Sequence, residues 1–441
     1  MTFLDFRGGV RSGAGMSKSM RSLVIARFSP IPPPGDMFGS IRRQDLFLSA
    51  IRSLSREIEY VWFAPSSAIM ALGPLGPLEA ALSSEWGLPV RLSPVLQRDQ
   101  YRKTLWNVYG AGALSAWRQA DFYHSTGPVQ VARVAESLAK RPDLVFASRL
   151  LAMGPLLRSR IRPARLFFDL DDIEHRKLIR DTAEAPRGLG KIVSPAHVLQ
   201  LTLAERQAAK MADTTFVCSE EDRRYLQRIG MGRGVAVVPN GLLVPANPSP
   251  PCADPTMLFL GTYGFGPNCA AAHRLVTRIF PLVRQQVPEA QLIVAGNRPE
   301  RIASFRSSPP GVTFTGFVPD LDALYARSRV VACPITTGTG TRLKLIEAAS
   351  YGRPMVSTRI GAEGLAFEDG REIMLRDDDE GFAAACVSLL RDDAACARLG
   401  AAARARMKAS YAAEGIVAQI AGIMGGGGQS RPAFNDVAGE G

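Results

Sequence analysis

The sequence predicts two doubly wound α/β domains facing each other across a cleft. Three observations carry that prediction. Short apolar runs alternate with helical patterns along most of the chain, as parallel sheets covered by helices require. The alternation stops once, at the proline-rich segment GLLVPANPSPPCADPT (241–256), and then restarts. The length, 441 residues, suits two domains.

The elements follow in order. SLVIARF (22–28) reads as the first strand. The turn SPIPPPGDMFGS leads into a helix from Ser40, and EIEYVWFA (57–64) is the next strand. Helical patterns follow around 76–86, 99–118 and 129–140. The apolar runs RPDLVFAS (141–148) and PARLFFDL (163–170) read as buried strands. A helix over 195–212, the strand TTFVCS, the helix SEEDRRYLQRI and the strand GVAVVPN complete the first half. Ser219 with Asp222 resembles a capping box.

After the linker, TMLFLGTYGFGPN opens the second alternation and leads into CAAAHRLVTRIFPLVRQQ. AQLIVAG, a helix near 299–306, GVTFTGF, the helix DLDALYARS and RVVACPI follow. Then come a glycine-threonine loop with its helix, PMVST, EIMLR, and closing helices near 380–391, 393–410 and 412–424. The expected boundaries are a tail over 1–20, a first domain over 21–245, a second over 246–411, a helix 412–424 that crosses back, and a tail over 425–441. Met16 and Met20 are alternative starts.

Composition narrows the class. Hydrophobic residues make up 46% and charged residues 21%, ordinary for a globular chain. No run of 18 apolar residues occurs, so a membrane-spanning helix is not expected. The N-terminus has no apolar core like that of a signal peptide. The six cysteines form no C-x-x-C pair, which fits reduced thiols in the cytoplasm. The four histidines are too scattered to suggest a metal site.

The net charge of +12 is lopsided. Residues 1–250 hold 33 Lys and Arg against 22 Asp and Glu, a net of +11; residues 251–441 hold 20 against 19, a net of +1. A basic first half suits a phosphate-bearing partner such as an anionic membrane surface. Nucleic acid is disfavoured, because basic patches interleaved with aromatics are absent.

The densest motif is TTGTGTRLKLIEAASYGRP (336–354). Gly338 and Gly340 let a ligand approach the backbone. Thr339 or Thr341 is expected to cap the helix, whose first free N–H groups attract anions. Lys344 adds a point charge for phosphate and Arg342 a planar fork. Lys344 and Glu347 share a helix face. Glu347 sits too deep to help a phosphate and suits the hydroxyls of a ribose.

Other loops contribute candidates. GTYGFGPN carries Gly261, Gly264 and Gly266, which is not the G-x-G-x-x-G of dinucleotide binding. Its Gly261 and Asn268 are candidates for a diphosphate-facing turn. Gly316-Phe317-Val318 follows a strand, where exposed backbone can read a nucleobase edge. Asp169-Leu170-Asp171 is a D-x-D that could hold a metal. The favoured reading is instead that Asp171, Asp172, Glu174 and His175 line the cleft, one of them positioning an acceptor hydroxyl. Gly35, Gly39 and Arg42, with Arg43, mark a flexible basic loop able to close over an acceptor or contact a phosphate.

Residues 258–365 closely resemble the nucleotide-sugar half of family 4 (group 1) glycosyltransferases, and weaker likeness extends over 22–424. The resemblance implies the GT-B fold, a nucleotide-sugar substrate, retention of anomeric configuration and no metal. It implies that Glu347 is the second acid of an E-x7-E motif that binds the donor ribose, with Lys344 near the diphosphate and Gly316 to Val318 at the base. The first acid of that motif falls at Thr339, so the usual carboxylate to the donor sugar is absent. The family's phosphate clamp is replaced by GTYGFGPN, leaving Arg342 and Lys344 to supply its charge. Ser148-Arg149 stands where many members have a cleft histidine.

The leading expectation is a retaining transferase using a UDP- or GDP-sugar. Its acceptor would be a lipid-linked glycan at the cytoplasmic membrane face, in polysaccharide synthesis. A sugar-nucleotide epimerase of the same fold would need acids and histidines converging on the sugar, and this chain is poor in histidine. A non-catalytic partner in polysaccharide assembly draws its support from Thr339.

Overall fold

Apolar residues along the first strand alternate between two cores. Leu23 and Ile25 pack on one face of the sheet, Val24 and Ala26 on the other. A strand buried on both faces belongs in the middle of a parallel sheet covered by helices, and that is its place in the structure. The computed structural model describes residues 19–31, 39–97, 122, 125–159, 161–184, 189–307 and 309–426; of 184 and 189–193 it gives the backbone alone. The expected helix over 99–118, Gly35 and most of both tails lie outside the described residues.

The first sheet contains β1 (Met20–Ala26), β2 (Ser55–Ala64), β3 (Val90–Leu96), β4 (Leu144–Ser148), β5 (Leu166–Asp171), β6 (Thr214–Val217) and β7 (Val235–Val237). Between them lie α1 (Gly39–Leu54), α2 (Ser66–Ala71), α3 (Leu75–Trp86), α4 (Pro128–Ala139), α5 (Leu150–Ser159), α6 (Glu174–Glu184), α7 (Leu189–Met211) and α8 (Glu220–Arg228). The strand order is β3-β2-β1-β4-β5-β6-β7, and the pairings are parallel.

The second sheet contains β8 (Thr256–Leu260), β9 (Gln291–Ala295), β10 (Val312–Gly316), β11 (Val330–Cys333), β12 (Met355–Ser357) and β13 (Met374–Leu375). Its helices are α9 (Gly266–Arg274), α10 (Phe280–Gln286), α11 (Leu321–Ala326), α12 (Leu343–Ser350), α13 (Asp379–Arg391), α14 (Asp393–Ser410) and α15 (Ala413–Gly425). A π-helical turn over Leu275–Ile279 joins α9 to α10. The order is β10-β9-β8-β11-β12-β13, again parallel. Strand order reverses between β1 and β4 in one sheet and between β8 and β11 in the other. Ligands of doubly wound sheets bind at the carboxyl ends beside such reversals.

Helix α15 returns to the first domain. Its Ile416, Val417, Ile420 and Met424 join the core cluster of β1, β2 and α1. The Leu242 N–H donates to the Tyr411 carbonyl at 3.0 Å and the Ala413 N–H to the Leu242 carbonyl at 3.0 Å, so the two interdomain passages run side by side.

Three departures from the sequence reading have local causes. Strand β3 was not anticipated because VRLSPVL contains Pro94; the strand lies at the sheet edge, where a missing N–H is tolerated. Helix α5 was hidden by Gly154-Pro155, a breaker pair that sits inside a buried helix. The helix expected near 299–306 is two short 3-10 turns, Pro299–Arg301 and Phe305–Ser307.

Candidate active site at the domain cleft

The second-domain half is built where β8 and β11 diverge. The chain leaves β11 through a loop in which Gly338 (φ +93°) and Gly340 (φ +81°) take left-handed conformations. It then enters α12 at Arg342, which caps the helix without a side-chain hydrogen bond. Neither Thr339 nor Thr341 is the cap. The Thr341 hydroxyl instead accepts from Asn240 of the first domain at 2.7 Å. The first N–H groups of α12 therefore face the cleft without a side-chain cap.

Lys344 stands in the first turn. Its ammonium donates to Asn268 Oδ1 at 2.8 Å and lies 4.3 Å from the centre of the Phe259 ring. Burial pulls it down to about 8. A Cβ on Gly261 would come within 3.3 Å of Nζ, so that glycine makes the room the ammonium occupies. Asn268 is itself oriented by donating to the Thr262 carbonyl at 3.0 Å.

Arg342 departs from expectation. Its guanidinium turns back, donating to the Thr339 carbonyl at 2.5 Å and the Thr337 carbonyl at 3.0 Å. Only 8% of the residue is exposed. It staples the loop and offers no open fork to a diphosphate.

Glu347 lies one turn deeper, with both carboxylate oxygens engaged. Oε1 accepts from Arg42 of the first domain at 3.1 Å, and Oε2 from the Tyr325 hydroxyl at 3.5 Å. Gly316 (φ +68°), Phe317 and Val318 sit at the end of β10; Phe317 is exposed and Val318 packs on the core.

The first-domain half gathers at the ends of β1, β4 and β5. A Cβ on Gly39 would lie 3.0 Å from Leu343 of α12, so the starts of α1 and α12 meet. Arg149 (φ +68°) and Asp171 (φ +58°) are left-handed although neither is glycine, a strain that clusters at functional sites. Arg149 donates to Ser40 at 2.9 Å and forms ion pairs with Asp171, Asp172 and Glu174 at 3.6, 3.4 and 3.7 Å.

Asp172 faces the second domain: a Cβ on Gly340 would meet its Oδ1 at 2.5 Å. Burial, with Asp171 beside it, raises its carboxyl to about 6. Asp169 and Asp171 are held by arginines. Arg43 is buried, donates to both oxygens of Asp169 at 2.7–3.0 Å, and lies 3.6 Å from Asp171. Among the described residues, no group of three or more metal-ligating side chains comes together.

His175 is a correction. It is 2% exposed and does not line the cleft. Its Nδ1 contacts Glu205 and its Nε2 lies 2.9 Å from the Tyr225 hydroxyl. It is a satisfied core histidine, because α6 turns that side inward against α7 and α8.

Arg43, expected in a flexible basic loop, is instead buried on Asp169; sequence reasoning missed Asn240, Arg176, Arg180 and Glu363. Arg176 and Arg180 are four residues apart on α6 and share a helix face, a spacing visible in the sequence. Nothing local marks Glu363, in the loop after β12, as a cleft residue.

Residues 254–392 match the family model described as "Glycosyl transferases group 1". That stretch, most of the second domain, is similar to the group 1 glycosyltransferases. Solved structures resemble the chain over almost its whole length. Anabaena HepE, in complex with UDP and glucose, superposes with a TM-score of 0.61 at 16% identity, covering 92% of this chain and 100% of that one. Sucrose-phosphate synthase from Thermosynechococcus elongatus gives 0.63 at 18%, covering 92% and 98%. These likenesses show the fold, which is GT-B. The "44.6 kDa protein in cps region" of Klebsiella pneumoniae is 24% identical over 135 residues, which span 29% of this chain and 35% of that protein. The Lys344 loop, Glu347 and Glu363 all lie within the stretch matched to the group 1 domain.

Proposed function

We propose that the protein is a retaining glycosyltransferase that moves a sugar from a UDP- or GDP-sugar to a lipid-linked glycan in cell-surface polysaccharide synthesis. One observation carries the reading. Lys344 is fixed at the uncapped start of α12, at a sheet reversal, with Glu347 one turn deeper and the Asp171–Asp172 corner across the cleft.

The dimensions agree. Strands lie about 4.8 Å apart, so the end of β10 is roughly 10 Å from the end of β8. That span suits a base at Gly316–Val318, a ribose at Glu347 and a diphosphate at Lys344. HepE is a structural neighbour solved with UDP and glucose, and the Klebsiella relative lies in a cps region. The basic first half fits an acceptor anchored at an anionic membrane surface. Among the described residues, no helix is long and apolar enough to cross a membrane.

In the reaction, the acceptor oxygen bonds to the anomeric carbon as the carbon–phosphate-oxygen bond breaks on the same face. The departing phosphate oxygen takes the acceptor proton. The charge gathering on the diphosphate meets the α12 N–H groups and Lys344, in place of a divalent ion. Asp172 would orient the acceptor hydroxyl.

Thermal unfolding in UDP, GDP and their sugars tests the reading. One nucleotide should stabilise the protein, and Glu347→Ala and Lys344→Ala should abolish the effect. Failure of every nucleotide to bind the intact protein would refute it. Donor hydrolysis should survive EDTA; strong inhibition would return Asp169 and Asp171 to consideration as metal ligands.

A further inference from the structure

The family resemblance implies an acid at position 339 that would reach the donor sugar, and Thr339 carries no charge. An acid from elsewhere stands beside it. Glu363, in the turn after β12, lines the same small cleft pocket as Thr339, Gly340, Asp172, Arg180 and Ser219. The Arg180 guanidinium measures the separation. It donates to both Glu363 oxygens and, at 3.4 Å, to the carbonyl of Gly338, the residue before Thr339. The carboxylate is therefore one guanidinium away from the loop.

The turn that carries Glu363 is closely packed. A Cβ on Gly361 would lie 2.4 Å from the Ser357 hydroxyl, and the Gly361 N–H donates to Thr358 Oγ1 at 2.8 Å. Gly364 is left-handed (φ +76°), and a Cβ there would lie 3.2 Å from both Ser219 and Thr341. Such packing fixes a side chain for recognition.

Two first-domain arginines aim the carboxylate. Arg176 donates to Oε1 at 3.0 Å alongside Arg180. Together they place three N–H donors on it, and Glu221 hydrogen-bonds to it as well. Burial acts to raise its pKa, but hydrogen bonds from Arg180 and Glu221 and the charges of Arg180 and Arg176 together hold it below its ordinary value. A carboxylate held by arginines beside the hydroxyls of Ser219, Thr339 and Thr341 suits a sugar hydroxyl.

We propose that Glu363, aimed by Arg176 and Arg180, binds a hydroxyl of the transferred sugar in place of the acid missing at Thr339. This rests on the nucleotide-sugar reading of the cleft. The site would be complete only when the domains are closed, since carboxylate and arginines come from opposite sides.

Calorimetric titration separates the two ideas. The probes are UDP, UDP-glucose, UDP-galactose, UDP-N-acetylglucosamine, GDP and GDP-mannose. The wild type should bind one nucleotide-sugar more tightly than its bare nucleotide. Glu363→Ala should leave nucleotide affinity within about twofold while the sugar's advantage falls about tenfold, the worth of one charge-assisted hydrogen bond. Glu363→Gln keeps the shape, guards against a folding defect and should lose part of the advantage. An advantage retained in both variants overturns the proposal. So does a wild type with no such advantage, or parallel loss of nucleotide and nucleotide-sugar affinity, which marks a mere interdomain tie. No nucleotide binding in the wild type would instead refute the donor-site reading itself.

Discussion

Lys344 shows how one residue's surroundings set its chemistry. An ammonium half-buried against an aromatic ring keeps its proton less readily, and its value falls to about 8. A diphosphate needs the charged form, which prevails below that value and is lost above it. UDP affinity should therefore fall about tenfold between pH 7 and pH 9, since roughly a tenth of the ammonium remains one unit above its pKa. Lys344→Met should bind weakly at both pH values with a flat profile. Fluorescence or calorimetric titration across the range checks this, and a wild-type profile that stays flat counts against Lys344 as the phosphate cation. Lys344 and Glu347 were legible in the sequence because a helix start fixes what the first turn can reach. Arg342 and His175 were not. A long arginine can turn back onto its own loop, and a histidine on a helix faces whichever side tertiary packing chooses.

At the scale of elements, the two glycine-bearing strand ends depend on each other. Gly296, just past β9, has φ +134°, and a Cβ there would lie 1.6 Å from the Gly261 carbonyl oxygen after β8. The backbones touch, and that contact seats the turn carrying Asn268 beneath Lys344. Gly296→Ala should cost on the order of 2–4 kcal/mol through clash and strain combined. Thermal unfolding should show the loss, and nucleotide affinity should weaken with it. A variant of unchanged stability would mean the turn shifts freely. The strand-and-helix alternation was readable here because buried parallel strands are continuous apolar runs. Strand β3 and helix α5 were not, since proline marks a break in sequence while an edge position or a packed helix tolerates it.

At the scale of the whole molecule, the cleft is closed by arginines of the first domain gripping acids of the second. Arg42 holds Glu347, and Arg176 with Arg180 holds Glu363. If Glu347 is the ribose acid, Arg42 occupies its place and must leave before the donor binds. Arg42→Ala should then tighten UDP binding about fivefold, the worth of a partly exposed ion pair near 1 kcal/mol. Turnover should fall, because the closed state loses a tie. Weaker UDP binding in the variant would place Arg42 on the diphosphate instead.

The sequence by itself determined the two alternations, the linker between them and the helix start at Lys344. These are local patterns, set by backbone period, glycine and charge within a few residues. The tertiary structure decided which charges meet. Arg43 went to Asp169 in the core, Arg42 crossed to Glu347 and Glu363 came to the side of Thr339. The residues in each of these pairs lie 24 or more positions apart in the chain. Their encounter depends on how two sheets face each other, which no short stretch of sequence encodes.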